Sequence, residues 1–236
     1  MPTASGTLEA AQVRAMFDRI AGVYDRMNAV MTAGLDRRWR ARAADLAGVG
    51  PGDRVLDVAT GTGDLALELA ARVGPAGEVV GADFAEAMLE RARAKAGGRA
   101  GLRFEWADAL ALSYDDGSFD AATVAFGARN FSDLDRGLAE LARVVAPGGR
   151  VVVLEITTPR RPPLSWFHSM WFDRVVPRLG RAAGAADAYD YLPSSVKRFP
   201  GPEGLAAAMA DAGLRRIRYV ITAGGIIALH VGEVAG

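Results

Sequence analysis

Two patterns of hydrophobic and polar residues alternate along the chain. Continuous apolar runs predict strands, and segments with apolar residues at helical spacing predict the helices between them. Continuous apolar runs, such as "VLDV" and "VVVLEI", are typical of strands that are buried on both faces of a sheet. The segments between them, such as "DLDRGLAELARVV", carry apolar residues at helical spacing. The pattern predicts an α/β fold with a doubly wound, mostly parallel sheet.

Both ends of the chain depart from this alternation, although residues 1–236 are expected to form a single domain. Residues 11–47 are predicted to be helical, with an interruption at Gly34, and to cap the fold. Residues 51–158 contain the alternation, including a third strand over 102–109, and are the expected cofactor-binding core. A proline-rich and then aromatic stretch, 159–200, predicts a helical insertion that covers the substrate, broken near Pro177. Residues 201–236 predict a helix and two antiparallel strands at the sheet edge.

Composition narrows the classes of function. Lys and Arg together number 28, as do Asp and Glu, so the formal net charge is zero and no broad nucleic-acid surface is expected. The chain contains no cysteine, which excludes disulfides, thiolate catalysis and cysteine-bound zinc. Neither a signal-like start nor a membrane-spanning apolar run is evident, so a cytoplasmic location is expected.

A glycine-containing loop predicts a nucleotide site. Gly61, Thr62 and Gly63 follow the first strand of the core and open a helix, and Asp83 ends the next strand. At this spacing, the Asp83 carboxylate could bind the ribose of the ligand. The same geometry is expected for a dinucleotide and for S-adenosylmethionine. A dinucleotide would make the chain an oxidoreductase, and S-adenosylmethionine would make it a methyltransferase.

Acidic residues near the loop favour the second ligand. A diphosphate binds at a helix N-terminus, where negative side chains repel it. Asp57 ends the first strand, Asp64 lies in the first helical turn, and Asp108 follows the third strand. S-adenosylmethionine has no phosphate and carries positive charge on its ammonium and sulfonium groups. Asp64 is explained equally well by the helix dipole.

Several stretches carry a family resemblance. "VLDVATGTGDLA", "VVGADFAEAMLERAR" and "RVVAPGGRVVVLE" resemble class I S-adenosylmethionine-dependent methyltransferases, which have a Rossmann-like fold. "MFDRIAGVYDRMNAVMTAGLDRRWR", "FGARNFSDLDRGLAELARVVAPGG", "AYDYLPSSVKRFPGPEGLAAAM" and "GGIIALHVG" are similar, in the same order, to signatures of the ubiquinone/menaquinone biosynthesis C-methyltransferases (UbiE/MenG), nearest the demethylmenaquinone methyltransferases. This resemblance implies methylation, without a metal, of a ring carbon in a prenylated quinol of the demethylmenaquinol type or a related benzoquinol.

The loop, the strand ends and the resemblance together give the expected cofactor contacts. They are Asp57, Thr60, Gly61, Thr62, Gly63, Asp83, Phe84, Asp108, Ala109 and Ala125. The chain departs from the family pattern at some positions. Relatives often have Ser where this chain has Ala125, and they usually have Ser in place of Thr32 and His in place of Asp36. The last change replaces a basic group by an acidic one.

Arg129 and Asn130 follow the fourth strand, where the substrate should meet the sulfonium, and are the expected catalytic residues together with Tyr24. Arginine is not an ordinary base at neutral pH, but it can stabilise a phenolate. The alternative for Arg129 is a surface salt bridge with Asp133 or Asp135. For Tyr24 the alternative is core packing.

The two histidines are weaker candidates. His230 lies in an apolar strand and is expected to be structural, and His168 either faces the pocket or packs. His168 shares a helical face with Leu164, Phe167, Trp171 and Val175. That face either packs in the core, covers the isoprenoid tail or makes a transient membrane-surface contact, since no basic stripe anchors it.

Three alternatives to quinol methylation remain at this level: a small-molecule methyltransferase of specialised metabolism, a dinucleotide-dependent oxidoreductase, and a binding module without catalysis. Homo-oligomerisation is also compatible with the sequence.

Overall fold

A seven-stranded sheet forms the centre of the protein in the computed structural model, which describes residues 10–159 and 161–236. The strand order is β3-β2-β1-β4-β5-β7-β6. β1 to β5 are mutually parallel, and β7 runs antiparallel to both β5 and β6. The strands are β1 (Arg54–Val58), β2 (Glu78–Asp83), β3 (Leu102–Trp106), β4 (Phe119–Ala125), β5 (Val145–Ile156), β6 (Leu214–Thr222) and β7 (Ile227–Val234). The predicted fold class, with its antiparallel C-terminal edge, is confirmed.

Helices cover both faces of the sheet because successive strand residues point to opposite sides. Val55 packs in one cluster with Leu69 of α4, whereas its neighbour Leu56 packs in another with Leu138 of α6. The helices are α1 (Ala10–Ile20), α2 (Tyr24–Thr32), α3 (Leu35–Ala47), α4 (Asp64–Val73), α5 (Glu86–Ala96), α6 (Leu134–Val144), α7 (Leu164–Met170), α8 (Val176–Ala182), α9 (Ala186–Arg198) and α10 (Pro202–Asp211).

The N-terminal segment is divided more often than the sequence predicts. Gly34 adopts a left-handed φ of 75° and separates α2 from α3, as expected. A second break, between α1 and α2 at residues 21–23, was not predicted. The predicted apolar face survives this break, since Ile20 and Met27 are both buried in the same cluster.

The region after β5 is helical, but its details differ from the prediction. A π-helical turn, Trp171–Val175, joins α7 to α8, so the helical path changes just before Pro177. α9 lies within the predicted helical insertion, although the prediction does not single it out as a separate helix, and it continues through Pro193. Its apolar residues Tyr189 and Leu192 belong to the same buried cluster as residues of α1 and α2. No helix in the described parts of the chain is both long enough and apolar enough to cross a membrane.

Candidate active site

Two adjoining cavities lie at the carboxyl ends of β1, β2 and β4, where ligands of open parallel sheets bind. The first, here called the strand-end cleft, has a volume of about 300 Å³. Its walls include Asp83, Phe84, Asp108, Ala109 and Ala125. The second, the loop cavity, is about 20 Å³ and is lined by Asp57, Thr60, Gly61, Thr62, Asp64 and others. Every predicted cofactor contact except Gly63 therefore lies on one of these walls.

Gly63 has a packing role. It precedes α4 with a φ of 83°, and a Cβ atom there would lie 2.8 Å from the Phe104 ring. Because only glycine fits both constraints, Gly63 allows α4 to approach β3 closely. Its contribution to the cofactor site is indirect.

Asp57 and Asp83 hold the loop in place from beneath. The buried Asp57 carboxylate accepts hydrogen bonds from the hydroxyl groups of Thr60 (2.6 Å) and Thr123 (2.7 Å). Asp83 accepts hydrogen bonds from the backbone N–H groups of Gly61 (2.8 Å) and Ala85 (2.9 Å). Burial raises the pKa of each carboxyl to about 6, against these hydrogen bonds, which lower it.

The open side of the strand-end cleft is formed by residues after β3. This strand ends at Trp106, three residues before the predicted end at 109. The Trp106 side chain is 57% exposed, and its indole N–H donates to the Phe84 carbonyl oxygen at 3.1 Å. Asp108 is exposed and accepts a hydrogen bond from the Leu110 N–H, so its carboxylate lies at the rim.

Lys95, which lies near the loop, was not among the residues predicted from the sequence. Lys95 of α5 places its Nζ 2.6 Å from Asp64, 2.7 Å from Asp25 of α2 and 3.0 Å from the Thr62 hydroxyl. The negative charge of Asp64 is therefore largely neutralised by Lys95, so Asp64 would repel a diphosphate less than the sequence suggests. Lys95 instead joins the N-terminal cap to the loop.

A third cavity, here called the apolar cavity, lies between the N-terminal cap and the helices after β5. Its volume is about 310 Å³. It shares Phe17, Tyr24, Phe126 and Asn130 with the strand-end cleft. Other wall residues include Met16, Ile20, Met31, Trp39, Ile156, Phe167, Trp171, Phe172, Leu192 and Ile226. A hydrophobic ligand there would lie next to whatever the strand-end cleft holds.

Arg129 lies on the wall of the apolar cavity in a buried ion pair. Its Nη1 donates to Glu155 Oε1 at 2.7 Å and to the Phe126 carbonyl oxygen at 2.5 Å. The alternative prediction, a surface salt bridge with Asp133 or Asp135, was wrong, because the ion pair is buried and its partner is Glu155. Asp133 instead caps α6 by accepting a hydrogen bond from the Arg136 N–H. Glu155 was missed, although a charged residue inside the apolar run "VVVLEI" was the available signal.

Three buried polar atoms on this wall have no hydrogen-bond partner among the described residues. They are Arg129 Nε, Asn130 Oδ1 and the Tyr189 hydroxyl oxygen. Buried polar atoms usually have partners, so a site of this kind fits a ligand that brings its own polar groups. Tyr24, the third predicted catalytic residue, lines all three cavities.

Neither histidine lines the three cavities. His230 is fully buried, lies 2.9 Å through its Nε2 from the Pro202 carbonyl oxygen and stacks on Tyr219. His168 stacks on Phe172 with ring centroids 4.4 Å apart. Burial lowers the pKa of both imidazoles. Both side chains pack against neighbouring residues, as expected for His230.

Residues 6–234 match the ubiE/COQ5 methyltransferase family. The chain belongs to this family. The demethylmenaquinone methyltransferase of Thermus thermophilus is 52% identical over 92% of this chain and 99% of that protein. The ubiquinone/menaquinone biosynthesis C-methyltransferase UbiE of a Geobacter species is 42% identical over 94% of this chain and 95% of that protein.

Solved structures agree on the fold of this ubiE/COQ5 family member. A SAM-dependent methyltransferase from Aquifex aeolicus superposes with a TM-score of 0.65 at 19% identity, covering 89% of this chain and 98% of that one. Membership of the ubiE/COQ5 methyltransferase family, with a relative at 52% identity, makes the protein a methyltransferase with S-adenosylmethionine as its methyl donor. The dinucleotide-dependent alternative is thereby excluded. The carboxylates of Asp57 and Asp83 below the loop suit this positively charged ligand.

Proposed function

We propose that the protein methylates a ring carbon of a prenylated quinol in respiratory quinone biosynthesis. The substrate would be a demethylmenaquinol or the related benzoquinol. The names of the curated relatives support this substrate class. The alternative, methylation of another small phenol in specialised metabolism, makes the same use of the cofactor and differs only in what enters the apolar cavity.

One observation carries the proposal: an apolar cavity with few, unpaired polar groups adjoins the cofactor side of the protein. A prenylated quinol has a flat apolar ring, two hydroxyl groups and a hydrocarbon tail. Aromatic and aliphatic walls match the ring and the first part of the tail. Arg129 Nε and the Tyr189 hydroxyl can bind the ring oxygens.

Different residues bind the cofactor and position the substrate. S-adenosylmethionine, when bound, supplies an electrophilic methyl group on a positively charged sulfur. Asp83, on the wall of the strand-end cleft, would accept hydrogen bonds from a ribose diol. Asp57, on the wall of the loop cavity, would lie near the amino-acid moiety. Tyr24, Phe126 and Asn130, which line both cavities, position the ring carbon against the methyl group.

Arg129 is expected to stabilise the negative charge that develops on a ring oxygen. Its guanidinium remains protonated, and Glu155 and the Phe126 carbonyl fix its orientation. Because it interacts more strongly with a phenolate than with a neutral hydroxyl, it lowers the barrier rather than only binding substrate. Its unpaired Nε is the available donor.

The proposed activity is tested by assaying reduced and oxidised substrates side by side. Only the quinol has hydroxyl protons to lose, so methylated product should form from demethylmenaquinol with a reductant present. The oxidised quinone under non-reducing conditions should give none. Equal turnover of both forms, or methylation of simple phenols with no quinol turnover, would overturn the proposal. Accumulation of demethylated quinone in cells that lack the protein would support it.

We further propose that α7 contacts a lipid surface while the substrate enters. Four apolar side chains near one another on α7 are exposed: Leu164 (43%), Trp166 (72%), Phe167 (47%) and Met170 (48%). Phe167 also lines the apolar cavity, so this exposed surface is continuous with the substrate site. Aromatic side chains are favoured at the membrane interface, and a prenylated quinol resides in the bilayer.

The lipid contact is tested with Trp166→Ser, since Trp166 is the most exposed of the four side chains. Activity on a long-tailed quinol in vesicles should fall several-fold, with unchanged activity on a short-tailed, water-soluble quinol. Val220→Ser on β6 removes an exposed apolar side chain (45%) that lies outside α7 and the apolar cavity, and it is the control. Loss of activity on both substrates, or on neither, would contradict the contact.

A further inference from the structure

A second buried ion pair lies on the wall of the apolar cavity. Asp36 Oδ2 and Arg40 Nη1 are 2.5 Å apart on adjacent turns of α3, and their side chains are 9% and 8% exposed. Among the described residues, Asp36 supplies the cavity wall's only carboxylate, and neither histidine reaches that wall. The cavity thus holds one acidic side chain that could accept a proton.

The pair lies where the apolar cavity meets the cofactor side. Arg40 lines both the apolar cavity and the loop cavity, and its Nη1 is 3.9 Å from Asp64 beside the loop. Its guanidinium also lies over the Phe126 ring, 5.4 Å from the centroid. Since the Phe126 carbonyl binds Arg129, a single aromatic residue links the Asp36–Arg40 pair to the predicted phenolate donor.

Asp36 retains capacity to accept a further hydrogen bond. The Thr32 hydroxyl lies 2.9 Å from Asp36 Oδ1 and 2.7 Å from the Asn28 carbonyl oxygen. A hydroxyl has one proton, so Thr32 donates to one of these two acceptors at a time. When it donates to Asn28, Oδ1 is open to a hydroxyl group of the substrate. A carboxylate with two oxygens also has more acceptor positions than these two partners fill.

We propose that Asp36 is the general base of the reaction: its carboxylate takes the proton from a quinol hydroxyl as the ring carbon becomes nucleophilic. This rests on the quinol methylation proposed above. The O–H bond breaks and an O–H bond to Asp36 forms, while the bond from ring carbon to methyl forms and the methyl–sulfur bond breaks. The ring carbon then loses its own proton to water, which restores aromaticity. The phenolate takes the other proton back from Asp36, so one proton is released overall and the carboxylate is regenerated. Arg129 stabilises the oxygen that has lost its proton, and Asp36 becomes neutral, so the two do not compete.

The charge relations support this division. A neutralised Asp36 does not repel the new phenolate, and Arg40 keeps Asp64 as a second anionic partner while Asp36 is protonated. A positioned general base contributes about 10²–10⁴-fold in rate.

The experiment compares Asp36→Asn and Asp36→His with the unmodified protein, at saturating S-adenosylmethionine, across pH 5 to 9. Asp36→Asn should lower kcat by about 100-fold or more while S-adenosylmethionine affinity, measured by calorimetry, stays within about threefold. Asp36→His should retain activity above pH 7. A neutral imidazole accepts a proton and has an ordinary pKa of about 6.5, so kcat of the histidine variant should fall as the pH drops through that range.

Asp45→Asn is the matched control. It removes the same charge from the same helix, but Asp45 is 63% exposed and pairs with Arg72 away from the cavities, so kcat should not change. The proposal is overturned if Asp36→Asn keeps kcat within threefold. It is also overturned if both Asp36 variants are equally impaired and the pH dependence of kcat in the histidine variant is the same as in the unmodified protein. The latter would make Asp36 only the partner of Arg40. Absence of quinol methylation by the unmodified protein would instead overturn the proposed function.

Discussion

The two sides of the active site are built from different parts of the chain and differ in how their polar groups are satisfied. On the cofactor side, Asp57 and Asp83 each accept two hydrogen bonds from within the protein. On the substrate side, Arg129 Nε, Asn130 Oδ1 and the Tyr189 hydroxyl have no partner in the described parts of the chain. The cofactor side is thus organised before any ligand binds, whereas the substrate side is completed by its ligand.

This difference predicts that the cofactor side mainly determines binding affinity and the substrate side mainly determines the rate of the chemical step. Hydrogen bonds that already exist fix the loop geometry and lower the entropic cost of binding the cofactor. Unpaired groups in a buried apolar cavity carry a desolvation cost, which a ligand with matching oxygens offsets. If the comparison holds, variants on the cofactor side should change affinity, and variants on the substrate side should change kcat.

Arg129→Ala should give the largest effect, on the substrate side. Loss of one preorganised donor to a developing oxyanion lowers kcat by about 10²–10³, and S-adenosylmethionine affinity should remain within about threefold. Arg129→Lys should recover only part of the rate, because a point charge lacks the planar fork of the guanidinium. Steady-state kinetics and calorimetry measure the two quantities separately.

The fold must be checked in the same experiment, because Arg129→Ala leaves Glu155 buried without its cation. Breaking such a pair costs about 3–5 kcal/mol, so Tm should fall in the alanine variant and less in the lysine variant. A folded alanine variant that keeps full kcat, or loses the cofactor instead, would refute the role assigned to Arg129.

Asp83→Ala should give the next largest effect, on the cofactor side. Each charge-assisted hydrogen bond to a ribose hydroxyl contributes about 1.5–3 kcal/mol, so affinity for S-adenosylmethionine should fall about tenfold or more. Asp108→Ala is a useful comparison, because Asp108 is exposed and its hydrogen bond is to Leu110. Its loss of affinity should be smaller. Unchanged affinity in a folded Asp83→Ala variant would remove Asp83 from the site.

The cofactor side could be predicted from the sequence because it is local. A parallel strand must end at the sheet edge, so Asp57, Gly61 and Asp83 are brought together by the fold class alone. The exception is Gly63, whose distinction from Gly61 depends on Phe104 of β3, which no pattern in the loop reveals.

The substrate side could be predicted only in part. Arg129 and Asn130 were expected from their position after the fourth strand, and Tyr24 from the family resemblance. All three line the apolar cavity. The contacts that orient them were missed, because Glu155 and Lys95 find their partners through tertiary packing rather than through sequence spacing. α9, which supplies Tyr189, lies within the predicted helical insertion, but Tyr189 itself was not among the expected site residues.

The pH dependence of cofactor binding should be smaller than these effects. Because burial raises the pKa of Asp57 and Asp83 to about 6, protons compete with S-adenosylmethionine below that pH. Affinity should fall several-fold between pH 7.5 and 5.5. The stability of the cofactor-free protein should change in the opposite direction. Its folded state takes up these protons at a higher pH than the unfolded chain does, so these two groups favour folding increasingly as pH falls from 7 toward 4.

Calorimetric titrations over this range, with thermal unfolding of the cofactor-free protein, check both directions. In Asp83→Asn the pH dependence of affinity should be weaker, because one of the two titrating groups is gone. An affinity that rises on acidification would show that the ionised carboxylates do not favour the cofactor.

Lys95→Met should have the smallest effect and tests whether the two sides are coupled. Lys95 contacts Asp25 of the cap, Asp64 of α4 and the loop residue Thr62, so its loss should loosen the cap over the cofactor. The lysine is 30% exposed, and pairs of this kind contribute about 0.2–1 kcal/mol, so KM for both substrates should rise about two- to threefold. The effect should shrink as salt screens the pairs. Lys197→Met, which removes a 2.7 Å pair between α9 and Asp173 of the turn after α7, should leave KM for S-adenosylmethionine unchanged. If Lys95→Met changes KM for the quinol alone, the cap serves only the substrate side, and the two cavities act independently.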